Sequence, residues 1–379
     1  MTERLYYKDQ YIKEFTAQVI SCTANGSNFE VVLDKSAFFP EGGGQPGDKG
    51  FIADAQVIDT IEKDGEVYHI CNKSVNLGKA DCKLDFDYRF ANMQQHSGEH
   101  IFSGVIHSMC GCDNVGFHMG ENYVTVDFNT VITPDQLAEA ERLSNEAVFR
   151  NIPIVSLYPI GKEVEKYNYR SKKEIDGQLR LTQIEGVDLC ACCGTHVRLT
   201  GEIGIIKAVS MAKNKSGVRI TLQIGRKALA DYAEKNASVH AISNLLCAKT
   251  DEVAEAVEKL QAKMRDADFR YAALKKELFA EKSKNISGEK CCIFDNGGSA
   301  DDARVFADML ADKVKIAAVF SGSDEDGYKY AVVSRTEDCR EIGKSLNASC
   351  NGRGGGKPDM IQGSVSATKE SIENFFNNI

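Results

Sequence analysis

Residues 92–110 read NMQQHSGEHIFSGVIHSMC, and they mark where the period of this chain changes. The stretch reads as one helix. Gly111 closes it, because glycine takes the left-handed conformation that ends helices at little cost. Upstream, to about Tyr88, the chain reads as β-rich. Gln18 to Ser21, Phe29 to Leu33, Phe51 to Thr60 and Val67 to Cys71 are short runs with β-branched or aromatic residues. Asn25-Gly26, Asp48-Lys49-Gly50 and Asp64-Gly65 separate them as turns. Residues 1–88 are therefore expected to form a small antiparallel β-barrel or sandwich.

Downstream, helices and strands mix. Val124 to Phe128 reads as a strand. A helix follows at Pro134, capped by Thr133 with Gln136 completing a capping box. Ile154 to Tyr158, Leu179 to Ile184, Ile203 to Val209 and Arg219 to Ile224 read as further strands. Residues 89–225 thus form an α+β domain. Residues 226–285 read as a long helical stalk, its second half capped by Thr250. Val253, Val257, Leu260, Met264, Ala267, Tyr271, Leu274 and Leu278 alternate four and three apart, which is a heptad seam. Such a seam packs on its own domain or joins two copies as a homodimer. Residues 286–379 read as a small α/β domain. Its strands fall at Cys291 to Phe294, Ile316 to Phe320 and Tyr328 to Ser334, and its helices at Asp301 to Asp312 and Glu337 to Ala348. A glycine-rich loop spans Asn351 to Asp359. The fold class is α+β and multidomain.

The chain of 379 residues is 42% hydrophobic and 27% charged, the balance of a globular protein with sizeable cores. No apolar run is long enough to span a membrane. The N-terminus lacks an apolar signal core, which points to the cytoplasm. Thirteen cysteines in such a chain read as reduced thiols or metal ligands rather than a disulfide framework. The net charge of -9 requires any nucleic-acid contact to rest on a local basic face.

His96 and His100 stand four apart on the predicted helix, so their imidazoles share one face within reach of one ion. Far downstream comes Cys190-Ala-Cys-Cys-Gly-Thr-His196, where Cys192 and His196 repeat that spacing. Thiolate and imidazole are ligands zinc prefers, and the two pairs make a tetrahedral set. Cys190 and Cys193 stay open as the sulfur ligand. The helix lacks the zinc-protease pattern, since Ser97 follows His96.

At these residues the sequence resembles the zinc motifs of alanyl-tRNA synthetase editing domains, and more closely the free-standing alanyl-tRNA editing (AlaX) group. Phe39-Pro-Glu-Gly-Gly-Gly-Gln-Pro-Gly-Asp-Lys-Gly50 matches that group's glycine-rich motif. Leu179-Arg-Leu-Thr-Gln-Ile-Glu-Gly-Val-Asp188 matches the approach to the second zinc motif. Gly352-Arg-Gly-Gly-Gly-Lys-Pro-Asp-Met360 resembles the C-terminal domain shared with the synthetase and with DHH-type phosphoesterases. The likeness covers nearly the whole chain and points to the long subtype. Cys193 stands where the family usually has glycine, which leaves Cys192 as the matching ligand and admits Cys193 as a competitor. No Asp-His-His run accompanies the tail, which argues against phosphoesterase chemistry there.

The resemblance implies an aminoacyl-tRNA hydrolase that edits tRNA(Ala) carrying serine or glycine, with Zn2+ held by His96, His100, Cys192 and His196. Four protein ligands normally close a zinc site, so either one ligand is labile or absent, leaving zinc to activate water, or zinc orients substrate and water without supplying the nucleophile. Gln45, in the Gly42-Gly-Gly-Gln45 segment, is the candidate catalytic residue, orienting water or bonding the ester. Gly43 and Gly44 bring backbone amides to the substrate. The plain alternative for this segment is a turn between barrel strands. Asp127 is placed to meet the substrate's amino group. Arg353 and Lys357 would contact tRNA phosphates. Three other readings are a zinc hydrolase for another aminoacyl or peptidyl ester, a zinc module that binds RNA or a synthetase without hydrolysis, and a thiol redox sensor built on Cys190, Cys192 and Cys193.

Overall fold

The computed structural model describes residues 1–120, 123–171 and 178–379. The chain divides into two compact units, Met1–Ala241 and Ile242–Ile379. The architecture is mixed α+β with several sheets.

In the first unit, β1 (Glu3–Arg4) pairs in parallel with β4 (Lys35–Ser36). Six strands close into an antiparallel barrel: β2 (Glu14–Asn25), β3 (Asn28–Leu33), β5 (Gly50–Ile52), β6 (Ala55–Lys63), β7 (Glu66–Cys71) and β8 (Gly78–Leu84), in the order β2-β3-β7-β6-β5-β8. Alternation sets the inside. Ala80, Cys82 and Leu84 of β8 point inward to meet Val19, Val31, Leu33, Ile52 and Val57. The β6–β7 hairpin turns on Asp64 and Gly65, both at positive φ, as a tight two-residue connection requires.

Helix α1 (Phe86–Cys110) starts at Asp85, whose side chain caps the Tyr88 N–H. It ends at Gly111, at φ 62°. Its core face packs on the antiparallel sheet formed by β9 (Asn114–Met119), β10 (Val124–Phe128), β14 (Ile206–Asn214) and β15 (Gly217–Ile224). Gly98 permits the approach, since a Cβ there would lie 2.6 Å from Ile224 Cγ2. Helix α2 (Pro134–Phe149) carries the capping box of Thr133 and Gln136. A small antiparallel sheet follows, made of β11 (Ile154–Leu157), β12 (Leu181–Ile184) and β13 (Asp188–Ala191).

Barrel and α+β region share one unit because charged and polar side chains lock them together. Arg89 at the start of α1 is fully buried and forms an ion pair with Asp48 of the barrel. It also donates to the carbonyls of Ala37 and Gln10, at 2.6 and 3.0 Å. Tyr11 donates to Glu202 at 2.6 Å.

Helix α3 (Arg226–Leu246) runs across the boundary between the units. The helical stretch is interrupted at Cys247, at φ 50°, before α4 (Val253–Lys282). Thr250 does not cap α4. It opens a short 3-10 turn, and Glu252 occupies the cap position without a side-chain bond. Along α4 the seam residues Val257, Leu260, Met264, Tyr271, Leu274 and Leu278 are exposed, and only Phe279 is buried.

The rest of the second unit is a five-stranded sheet with both faces covered. Its strands are β16 (Gly288–Asp295), β17 (Val314–Ser323), β18 (Gly327–Val333), β19 (Gly352–Lys357) and β20 (Met360–Val365), in the order β16-β17-β18-β20-β19. Ala317 and Val319 face α5 (Ala300–Leu310). Ala318 and Phe320 face α6 (Cys339–Ser349) and α7 (Lys369–Asn378). The stretch expected as a glycine-rich loop is instead the edge strand β19. The glycines are what let it pair: Gly354 faces Gly363 across the ladder, and a Cβ at Gly354 would lie 2.6 Å from the Tyr330 hydroxyl. No helix of the described residues is long and apolar enough to cross a membrane.

Candidate metal centre

Two helical turns and one loop bring four donors together. His96 and His100 lie on the buried face of α1. The segment after β13 turns back and places Cys192 and His196 against them. One donor atom from each of His96, His100, Cys192 and His196 lies within 4.8 Å of every other. Cys192 Sγ is 3.3 Å from His96 Nε2 and 3.4 Å from His196 Nε2. Ligands on a tetrahedral zinc, at bond lengths near 2.0 and 2.3 Å, stand about 3.3–3.6 Å apart. The donor set and its spacing fit that ion.

Charge also favours a cation. Burial pushes the Cys192 thiol up, but His96, His100 and His196 outweigh it and hold the thiol well below its usual value. His100 is pushed up to about 9, the Cys192 and Asp188 charges overcoming burial. Burial drives His196 down to about 3, which keeps it neutral and available as a ligand. Among the three cysteines, Cys192 is the one whose sulfur joins the histidines. Cys190 is buried and raised to about 12 by that burial. Its sulfur groups instead with His100 and Asp188, beside Arg170, whose positive charge disfavours a second cation. Cys193 is exposed, and its Sγ lies 3.2 Å from where a Cβ on Gly43 would sit.

Each histidine has its other nitrogen engaged. Gln45 Oε1 is 2.9 Å from His96 Nδ1, Asp188 Oδ2 is 2.9 Å from His100 Nδ1, and Ser97 Oγ is 3.2 Å from His196 Nδ1. Gly194 is required here, since a Cβ would lie 2.1 Å from His96 Cε1. The loop is also clamped from behind. Arg180 donates to the carbonyls of Cys192 and Gly194, both at 2.8 Å, and lies over the Tyr7 ring. Gln10 accepts from the His196 N–H.

The Gly42–Gln45 segment is a tight turn. Gly42 and Gln45 exchange backbone hydrogen bonds, both at 3.0 Å, with Gly43 and Gly44 at φ 60° and 83°. Gly43 and Gly44 are exposed, whereas the Gln45 side chain is buried. Besides His96, Gln45 bonds the Thr195 hydroxyl at 2.7 Å and accepts from the Thr195 N–H at 3.0 Å.

The remaining predicted site residues lie elsewhere. Asp127 on β10 forms two 2.7 Å bonds with Arg219, its register partner on β15. Its neighbours Val126 and Phe128 point into the core, so Asp127 points away from the face that meets α1. Arg353 and Lys357 lie on β19 in the other unit, exposed and on one face of the strand. Sequence reasoning missed the outer partners Asp188, Arg170, Thr195 and Arg180 as site residues. A signal existed for three of them, because Arg180, Asp188 and Thr195 lie within the quoted motifs. Arg170 carried none.

Two domain families match the chain. The DHHA1 domain covers residues 288–379, and the threonyl and alanyl tRNA synthetase second additional domain covers residues 179–221. The chain is 29% identical over 394 residues to the alanyl-tRNA editing protein AlaX-L of Pyrococcus horikoshii, spanning 98% of this chain and 96% of that one. It is 27% identical over 389 residues to the alanyl-tRNA editing protein Aarsd1 of Danio rerio, spanning 97% and 94%. It is also 29% identical over 402 residues to an alanine–tRNA ligase of Pyrococcus abyssi, spanning 98% of this chain but 43% of the ligase.

Proposed function

The chain belongs to the alanyl-tRNA editing group in its long form, and from that premise we propose that it is an aminoacyl-tRNA hydrolase. Its substrate is tRNA(Ala) bearing a wrong amino acid, serine first and glycine second. The observation that carries this reading is the junction of two motifs. A set of three buried histidines and the half-buried Cys192 meets Gln45 from an exposed glycine turn. A separate hydrolytic site answers a physical need, because a pocket for alanine discriminates against near-isosteres by only about 1–3 kcal/mol.

In this reading His96, His100, Cys192 and His196 hold Zn2+. Bound there, zinc supplies Lewis acidity toward the ester. The chain's own residues do the rest. Gln45 and Asp188 fix the imidazoles from outside. Arg180 fixes the loop that carries Cys192 and His196. The exposed amides of Gly43 and Gly44 offer close backbone approach to the terminal adenosine ester, with Cys193 alongside. Asp127 has no part in it, its carboxylate being committed to Arg219. Arg353 and Lys357 contact tRNA phosphates, and the exposed seam of α4 is the surface for a second copy.

The test is deacylation of Ser-tRNA(Ala), Gly-tRNA(Ala) and Ala-tRNA(Ala) by zinc-loaded wild type and His96→Ala. Loss of the seryl ester, sparing of the alanyl ester and a folded but inactive variant support the proposal. Tight tRNA binding with no turnover of any ester sinks it and favours a non-hydrolytic zinc module.

A further inference from the structure

Behind His100 lies an ion pair that the donor set alone does not call for. Asp188, the first residue of β13, places Oδ2 2.9 Å from His100 Nδ1 and Oδ1 2.8 Å from Arg170 Nε. The Asp188 side chain is 2% exposed and that of Arg170 13%. The Arg170 backbone is itself fastened beside the ligand loop. Its N–H donates to Leu189 O, and its carbonyl accepts from the Ala191 N–H, both at 2.9 Å.

We propose that Arg170 and Asp188 are a positioning pair that sets which nitrogen of His100 faces the metal. The proposal rests on the reading of the four donors as a metal centre. An imidazole that binds a metal is neutral, with one N–H and one lone pair, and its neighbours decide which is where. A carboxylate only accepts, so Asp188 requires the proton on Nδ1 and leaves the Nε2 lone pair for the ion. Arg170 only donates. By holding the second oxygen it prevents the carboxylate from turning away. Partners of this kind are worth about 10–100-fold in metal affinity.

The arrangement makes an unusual demand on an amide at position 188. In Asp188→Asn, Arg170 takes the amide oxygen, because it has no lone pair to offer the NH2. The NH2 then faces His100 Nδ1 and needs an acceptor there. The proton moves to Nε2 and closes the nitrogen meant for the metal, a wrong-tautomer effect of the kind seen in catalytic triads. Asp188→Asn therefore binds metal more weakly than Asp188→Ala. Removing Arg170 as well frees the amide to turn its oxygen toward His100, so Arg170→Met/Asp188→Asn regains affinity. An ion pair that merely held the fold would give the opposite order, with the double variant worst.

The experiment is zinc affinity of the full chain by competition with a chromophoric chelator. The cobalt-substituted absorption spectrum reports whether the thiolate and tetrahedral geometry persist. The expected result is at least tenfold weaker zinc binding in Asp188→Asn, weaker than Asp188→Ala, with recovery in the double variant. Wild-type affinity in Asp188→Asn, or no recovery in the double variant, overturns the proposal. If Asp188→Asn does not fold, Arg170→Met/Asp188→Asn is compared with Arg170→Met/Asp188→Leu, and equal affinities overturn it. Failure of the wild type to bind zinc at all would instead refute the metal centre, and the positioning pair with it.

Discussion

Gln45 Oε1 lies 2.9 Å from His96 Nδ1, so a barrel turn fixes the orientation of an imidazole on the first helix of the next region. The Gln45 amide is also tied to Thr195 through both its oxygen and its nitrogen. Both polar atoms of the side chain thus bond the protein. Gln45→Ala should then weaken zinc binding about 10–100-fold, as loss of an outer partner does. Zinc competition and ester hydrolysis are read together. Unchanged zinc affinity with lost hydrolysis would return Gln45 to direct contact with substrate.

Gly194→Ala tests the same imidazole from the other side. Its Cβ would fall 2.1 Å from His96 Cε1 and 3.0 Å from Gln45 Oε1. The ring must move, and zinc binding should be lost while far-UV circular dichroism stays that of the wild type. The overpacking should cost the metal-free protein about 1–3 kcal/mol. Stoichiometric zinc in this variant would show that the loop yields instead.

Arg89 bears on assembly rather than chemistry. Arg89→Met strands the buried Asp48 carboxylate, and breaking such a pair costs about 3–5 kcal/mol. Urea unfolding should show that loss. Adding Asp48→Asn should recover part of it, since the uncompensated charge is then gone. A double variant as unstable as the single would place the cost in lost packing.

His69 gives the barrel a pH dependence. Burial lowers its pKa to about 4, and it sits between the Ser36 hydroxyl and the Val31 carbonyl. The unfolded imidazole titrates near 6.5. Between these values the unfolded state binds more protons, so stability rises with pH. The contribution is complete above about pH 6.5 and is lost as pH falls toward 4, roughly 3 kcal/mol in all. His69→Gln should flatten that limb of the stability–pH curve, measured by urea midpoints at pH 7 and pH 5. An unchanged slope would assign the acid sensitivity to other groups.

On β19, Arg353→Ala and Lys357→Ala should each weaken tRNA binding and lower the slope of log affinity against log salt by about one. Equal affinities at every salt concentration would remove this strand from the RNA surface.

Much of the fold was legible because it rests on local rules. The Thr133 capping box, the Gly111 terminus and the Asp64-Gly65 turn are set by residues a few positions apart. The i, i+4 pairs His96/His100 and Cys192/His196 were legible for the same reason, since helical and turn geometry convert spacing into proximity. Where long-range packing decides, the reading failed. The glycines of 352–356 suggest a loop, yet pairing with β20 makes them an edge strand. Asp127 forms an ion pair with Arg219, a cross-strand partner 92 positions away that local spacing does not reveal.

The sequence by itself determined the His96/His100 and Cys192/His196 spacings, the Thr133 cap and the Gly111 helix end, because spacing and residue type are local properties. Only the tertiary structure decided which cysteine faces the histidines, and that Gln45 and Asp188 stand behind His96 and His100. Those contacts join residues 51 and 88 positions apart. Nothing in local spacing encodes them. They arise when burying two cores brings the barrel turn, the helix and the strand end to one place.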